Sequence, residues 1–149
     1  MDQASSLAQS RTERTLRCRM VTHITSAQSL EVGDVEGHVV SLAHFSGLAF
    51  FPDEVATVSF ASTTDYINGE GEFVPYPIIV FNDGAVLCVR SCGRGKVEGT
   101  KTKFVGTLTV VGGEGRFAGA KGDGTLTGIR YTPLSVGADL VSDYIVTLE

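Results

Sequence analysis

Val105-Gly-Thr-Leu-Thr-Val-Val111, then Gly112-Gly-Glu-Gly-Arg-Phe117-Ala-Gly-Ala-Lys-Gly-Asp-Gly124, then Thr125-Leu-Thr-Gly-Ile-Arg-Tyr131 is the stretch whose reading decides the fold. Two β-rich runs flank a connector carrying Gly112, Gly113, Gly115, Gly119, Gly122 and Gly124. So many glycines allow tight turns and backbone angles that a Cβ forbids. Phe117 is the one large apolar ring in the connector, and it reads as an anchor pinning the loop to the end of a hydrophobic core. The stretch is therefore a strand, a folded-back glycine loop and a returning strand.

Read as a string, Gly113-x-Gly115-x-x-Ala118 also fits a dinucleotide fingerprint. That fingerprint works only where the glycines lead into a helix whose N-terminus faces a pyrophosphate. Here Ala120-Lys-Gly-Asp-Gly124 follows, and two glycines in so short a span oppose a helix. The phosphate reading is rejected.

The run from Gly112 to Gly122 resembles the Gly-Gly-x-Gly-x-Phe-x-Gly-Ala-x-Gly turn of the allene oxide cyclase-like and dirigent-like β-barrels. What the resemblance implies is a small eight-stranded antiparallel barrel, often trimeric, holding a hydrophobic molecule in its lumen. It also implies cofactor-free cyclases, pericyclic catalysts and stereochemistry-guiding proteins among the relatives. The family's catalytic residues do not carry over, because no residue-level match extends beyond the turn.

Outward from that stretch, the whole chain of 149 residues fits one domain with a real core. With 18 glycines, no tryptophan, 42% apolar and 19% charged residues, it reads as a glycine-rich β protein, neither disordered nor membrane-spanning. A net charge of −5 without a basic run beyond Arg11 to Arg19 disfavours nucleic acid. No secretory signal pattern opens the chain, and Cys18, Cys88 and Cys92 are an odd set, so a reducing cytoplasmic setting is expected. On one extended strand Cys88 and Cys92 stand ~13 Å apart, too far to bridge, and the three read as buried thiols.

Residues 1–12 are small and polar and are expected to form a disordered tail before a barrel domain at 13–149. Leu16, Cys18 and Met20 then alternate with Arg17 and Arg19 at period two, which is a strand whose arginine face is wet or meets acidic neighbours. Turn signals at 33–37 lead into a β run at 38–51, broken or bent at Ser46-Gly47, and residues 55–67 follow as a long β-branched run. In it Val58, Phe60 and Tyr66 share the apolar parity, with Asp65 on the other side.

Pro75 and Pro77 make Tyr76 part of a strand start or an edge. Residues 78–81, the loop Asn82-Asp83-Gly84 and residues 85–92 read as a hairpin. Its second strand carries Val86, Cys88, Arg90 and Cys92 on one face and Ala85, Leu87, Val89 and Ser91 on the other. A strand apolar on both sides needs cover on both, and a second subunit is the expected outer cover, giving a homodimer or homotrimer. Residues 96–98 read as a short separate strand, and residues 140–148 as the last one. About eight strands with glycine turns and no helical periodicity argue an all-β fold, a small closed antiparallel barrel without exposed edges.

Chemistry is sparse. His23, His38 and His44 are too far apart for a metal site, and there is no serine elbow. Neither metal nor cofactor is expected. Paired acids need a cleft, and sequence alone does not pair Asp65, Glu98, Asp139 or Asp143. What remains is a shaped lumen that holds one small molecule. Arg90, inside the most apolar strand, needs a partner, either a protein carboxylate or an acidic or carbonyl-bearing ligand. Arg90, Tyr66 and Asp65 are the candidate catalytic residues, and Phe60, Tyr76, Phe81, Cys88, Phe104 and Tyr144 the candidate ligand walls. The leading expectation is a cofactor-free cyclase or isomerase that folds a polyketide-, lipid- or terpenoid-like substrate. A non-catalytic carrier or dirigent-like guide, and a filled structural barrel without a ligand, stay open beside it.

Overall fold

The computed structural model describes residues 14–133 and 136–149; the expected tail at 1–12 lies outside the described residues. Nine strands follow in order: β1 (Arg14–Glu31), β2 (His38–Phe50), β3 (Val55–Ile67), β4 (Glu70–Pro75), β5 (Ile78–Val80), β6 (Val86–Glu98), β7 (Lys101–Glu114), β8 (Gly122–Arg130) and β9 (Leu140–Leu148). The strands pair antiparallel throughout, and β2 pairs with both β1 and β3, so the sheet closes on itself. Strands β4 and β5 take successive halves of one position between β3 and β6. The barrel thus has eight staves, one of them broken. Pro75 and Pro77 explain the break, because neither offers an N–H to the ladder. Around them Tyr76 N–H still donates to the Ala61 carbonyl and Val89 N–H to that of Pro77, both at 2.9 Å.

Period two sorts the side chains as the alternation predicts for β1. Cys18, Met20 and Thr22 point into the core, while Arg17, Arg19 and Val21 face outward. Arg19 pairs with Asp143 on the neighbouring strand through contacts of 2.9 and 3.2 Å. A β-bulge between Ile24 and Ser26 adds one residue to β1 and switches its inward parity, so that Ala27 and Ser29 face the lumen beyond it. The core centres on Met20, Ile79, Leu87 and Val89, each nearly inaccessible. Burying such a side chain stabilises the fold by about 1.5–3 kcal/mol.

Strand β6 runs unbroken from Val86 to Glu98, where the sequence suggests a separate piece at 96–98. The glycines responsible for that expectation mark close backbone approach instead of a break. A Cβ on Gly93 would lie 2.2 Å from the Val105 carbonyl oxygen and 2.6 Å from the Gly106 Cα. The bend needed to close a small barrel brings β6 and β7 this near.

The glycine connector folds back between β7 and β8 as expected, and within it Gly115–Phe117 form a one-turn 3-10 helix. Phe117 is buried and lies 5.0 Å from the Phe81 ring, which in turn lies 5.1 Å from Phe51. Arg116 covers the cluster, its guanidinium 4.7 Å from the Phe81 centroid and 4.9 Å from that of Phe117. It also bridges Glu54 at 3.1 Å and Asp83 at 3.4 Å. This end of the barrel is sealed.

The thiols correct one expectation. Cys18 is buried, Cys88 is half-buried and Cys92 is exposed, because the latter two belong to the outward parity of β6. Burial, with Asp143 nearby, pushes the Cys18 thiol up to about 12. In native protein a water-soluble disulfide reagent should therefore label Cys92 first, Cys88 more slowly and Cys18 only on unfolding. Fast labelling of Cys18 would contradict the facing assigned to β1.

Outside, Leu48, Phe50, Val55, Ile78 and Val80 are each about two-fifths exposed. Register makes them neighbours: Phe50 pairs with Val55, Thr57 with both Leu48 and Val80, and Ile78 with Cys88. No helix among the described residues is long and apolar enough to cross a membrane.

Candidate functional site

The end opposite the Phe117 seal is open. Two adjoining chambers occupy it, an inner one of ≈ 50 Å³ and an outer one of ≈ 250 Å³. They share Phe45, Ser62, Thr64, Tyr66 and Arg130 as walls. Below that level the inner chamber is lined by Phe60, Phe73, Phe104, Leu126 and Tyr144, so it is almost wholly apolar. Above it Ser29 and Ser41, whose hydroxyls are 2.8 Å apart, and the glycines at 37 and 69 form the rim. Together the chambers offer room near the lower end of small-molecule sites, about 300–1,000 Å³.

The aromatic walls hold one another. Phe45 and Phe60 face each other across a register pair of β2 and β3, stacked at 4.9 Å and 10°. Phe73 meets Phe104 edge to face at 5.2 Å. Such contacts add about 0.5–1.5 kcal/mol beyond area burial and fix ring orientation. At Gly95 a Cβ would stand 2.9 Å from the Phe104 ring and 3.1 Å from the Tyr66 hydroxyl, so a bare backbone there makes room for both groups.

Arg130 is the only charged side chain lining either chamber among the described residues. It lies on the inward parity of β8, beyond Leu126 and Gly128, and is half-buried. Its Nη2 donates to Thr102 Oγ1 at a long 3.4 Å, and its guanidinium lies 5.8 Å from the Phe104 ring centre. Desolvation lowers its pKa from the ordinary value while Tyr66 opposes that, and the group stays cationic at neutral pH. Burial pushes the Tyr66 phenol up to about 12, with the Arg130 charge pulling the other way. Deeper in, complete burial raises the Tyr144 phenol further, against the influence of the nearby Ser91 hydroxyl.

Of the residues singled out in the sequence, Tyr66, Phe60, Phe104 and Tyr144 meet in this lumen. The others lie elsewhere. Arg90 is on the outer face of β6, exposed, 6.0 Å from the ring centre of Tyr76, which is also outside. Cys88 shares that outer parity. The inward expectation for Arg90 fails because β6 runs on to Glu98, where Arg94, Lys96 and Glu98 share the Arg90 parity and make it the wet face, and inward space goes to Leu87, Val89 and Ser91. Phe81 belongs to the sealed end. The arginine that faces the lumen, Arg130, was not singled out. Leu126 and Ile129 have opposite parities, so β8 by itself does not say which one is core; only the burial of Leu126 does.

Asp65 also faces outward, where it takes part in a clasp at the rim. His38 Nδ1 lies 2.7 Å from Asp34 Oδ1 and its Nε2 lies 2.5 Å from Asp65 Oδ1. Acceptors on both ring nitrogens favour the imidazolium, which alone donates twice. The hydrogen bonds that His38 donates to Asp34 and then to Asp65 raise its pKa from 6.5, and the bond accepted from His38 lowers that of Asp34 from 3.8. Because the folded His38 value is raised, its contribution is fully present below about pH 6.5 and is lost as pH rises through the folded value. The Asp34 contribution is present above about 3.8 and is lost as pH falls through its lowered value. Thermal melts should therefore show a stability component that disappears on the alkaline side of the histidine titration, and His38→Gln should abolish that step. An unchanged pH profile in the variant would refute the clasp.

Among the described residues no group of three His, Cys, Asp or Glu side chains is placed to hold a metal ion. No protein-family model matches the chain, and no curated protein matches it in sequence. Solved structures do. A conserved protein of unknown function from Rhodopseudomonas palustris aligns at 14% identity and a TM-score of 0.60, covering 93% of this chain and 99% of that one. The pterocarpan synthase dirigent protein GePTS1 aligns at 15% identity and a TM-score of 0.55, covering 92% and 86%. For the pterocarpan synthase dirigent protein PsPTS1 the values are 15% and 0.52, covering 91% and 96%. Likenesses at this identity speak for architecture alone, and what the chain shares with these structures is the β-barrel fold.

Proposed function

We propose that the barrel takes a small hydrophobic molecule into its open end and holds it in one orientation, in the manner of a guiding protein. The observation that carries this reading is the pairing of an aromatic inner chamber with a polar level at Tyr66 and Arg130. An apolar floor attracts the guest by burial, and polar groups on one side only fix which way round it lies. Similarity in fold to two pterocarpan synthase dirigent proteins supports guidance over simple carriage. A cyclase or isomerase reading has one feature in its favour: the Tyr66 hydroxyl and the Arg130 guanidinium are suited to polarising a carbonyl on a folded substrate. The test is titration with the neutral fluorescent probe N-phenyl-1-naphthylamine. Saturable enhancement with one site per chain is expected; the absence of saturable binding would refute a ligand-holding lumen.

The outer apolar wall fits a second copy of this chain, as dimer or trimer, because the strip from Phe50 to Ile78 carries no charge of its own that a like surface would repel. Sedimentation velocity should show an assembly that Ile78→Glu dissociates. A wild-type monomer at micromolar concentration would end that reading.

A further inference from the structure

We infer that the lumen selects a lipophilic monoanion, a small aromatic or aliphatic carboxylic acid, whose carboxylate is received by Arg130. The inference rests on the ligand-holding reading above and names the chemistry of its guest.

Arg19, Arg94, Lys103 and Arg116 each meet a carboxylate, as does His38, and Arg14, Arg17, Arg90, Lys96, Lys101 and Lys121, for which no ion pair is described, are all exposed to water. Arg130 has no ion pair among the described residues, although it is withdrawn from water into a chamber wall. Its one side-chain acceptor is the neutral Thr102 hydroxyl at 3.4 Å. Both chambers together contribute no Asp, Glu, Lys or His to their linings. A half-buried guanidinium with unspent donors is costly to keep and attractive to an anion. The planar fork suits the two oxygens of a carboxylate, and low water content strengthens the attraction.

Geometry fixes polarity as well. Arg130 and Tyr66 stand at the level shared by the chambers, while Phe60 and Phe104 stand on the inner side. An acid therefore lies with its apolar end toward the inner rings and its head at the arginine, with the Tyr66 hydroxyl as a second donor. Divalent acids are disfavoured, since no second cation lines the site among the described residues.

The experiment displaces N-phenyl-1-naphthylamine with trans-cinnamate and with its methyl ester, which share an apolar body and differ in charge. Wild type should prefer cinnamate by about tenfold or more, the scale of one charge-assisted hydrogen bond. Arg130→Gln should abolish the preference while keeping the neutral probe bound, and Arg130→Lys should retain part of it. Arg90→Gln, altering an outward arginine, should change nothing. Equal displacement by acid and ester in wild type, or a preference that survives Arg130→Gln, overturns the inference and leaves the hydrophobic-ligand reading intact. Failure of wild type to bind the neutral probe sinks both. The wild-type comparison needs no variant, so the test holds even if Arg130→Gln does not fold.

Discussion

Gly47→Val is expected to cost the barrel about 3 kcal/mol or more, a large share of the roughly 5–15 kcal/mol that holds an ordinary domain folded. Gly47 lies on β2, opposite Thr22 of β1 and Val58 of β3. A Cβ there would stand 1.9 Å from the Val21 carbonyl oxygen and 2.8 Å from the Thr22 Cα. Those are backbone atoms of a paired strand, so no rotamer change relieves the clash. The strand must move, and with it the hydrogen bonds that close the sheet. Gly84→Ala is the control: its φ of +87° carries strain for an alanine, but nothing lies within 4 Å of the added atom, so a loss of only about 1 kcal/mol is expected. Chemical denaturation of both variants checks the contrast. Equal losses would mean that strand approach at Gly47 is not what limits the barrel's closure.

Phe60→Ala should lower stability by about 3–5 kcal/mol, at the upper end for deletion of a buried ring. Phe60 is 6% exposed and stacked on Phe45, so truncation removes apolar burial, an aromatic pair and the support of a second ring. Surrounding strands are tied into a closed ladder and cannot collapse into the void. The inner chamber, ≈ 50 Å³ in the native protein, should therefore grow instead of healing. Two readouts check this together: the denaturation midpoint falls, and binding of N-phenyl-1-naphthylamine does not fall in proportion to the folded fraction, because the enlarged chamber admits the probe more deeply. A loss below about 1 kcal/mol would show that the stack contributes little and that the lumen is plastic.

Both expectations, with the His38 titration and the order of thiol labelling, depend on which parity of each strand faces inward. For β1 that is readable from the chain, because Arg17 and Arg19 make one face unambiguously polar. In β3 it is equally readable from Val58, Phe60 and Tyr66 against Asp65. The first half of β6, up to Cys92, is ambiguous, and there the reading that put Arg90 and Cys88 in the lumen fails; the polar parity shows only when the strand is followed through Arg94 and Lys96 to Glu98. In β8 the competing apolar residues Leu126 and Ile129 hide Arg130 from a pattern-based reading. Bulges add to the difficulty: the extra residue near Thr25 reverses the facing of everything that follows it on β1, and a single sequence carries no mark of it.

What the amino-acid order determined by itself is local: period-two runs and the glycine turn with its Phe117 anchor. These follow from steric limits on single residues and from the alternation of a pleated strand, which need no partner to be expressed. Tertiary structure alone decided that Arg130 and Tyr66 share a wall, that Arg90 stands outside it and that His38 joins Asp34 to Asp65. Those placements depend on register and closure between strands far apart in the chain, and long-range pairing is settled by the packing of the whole barrel.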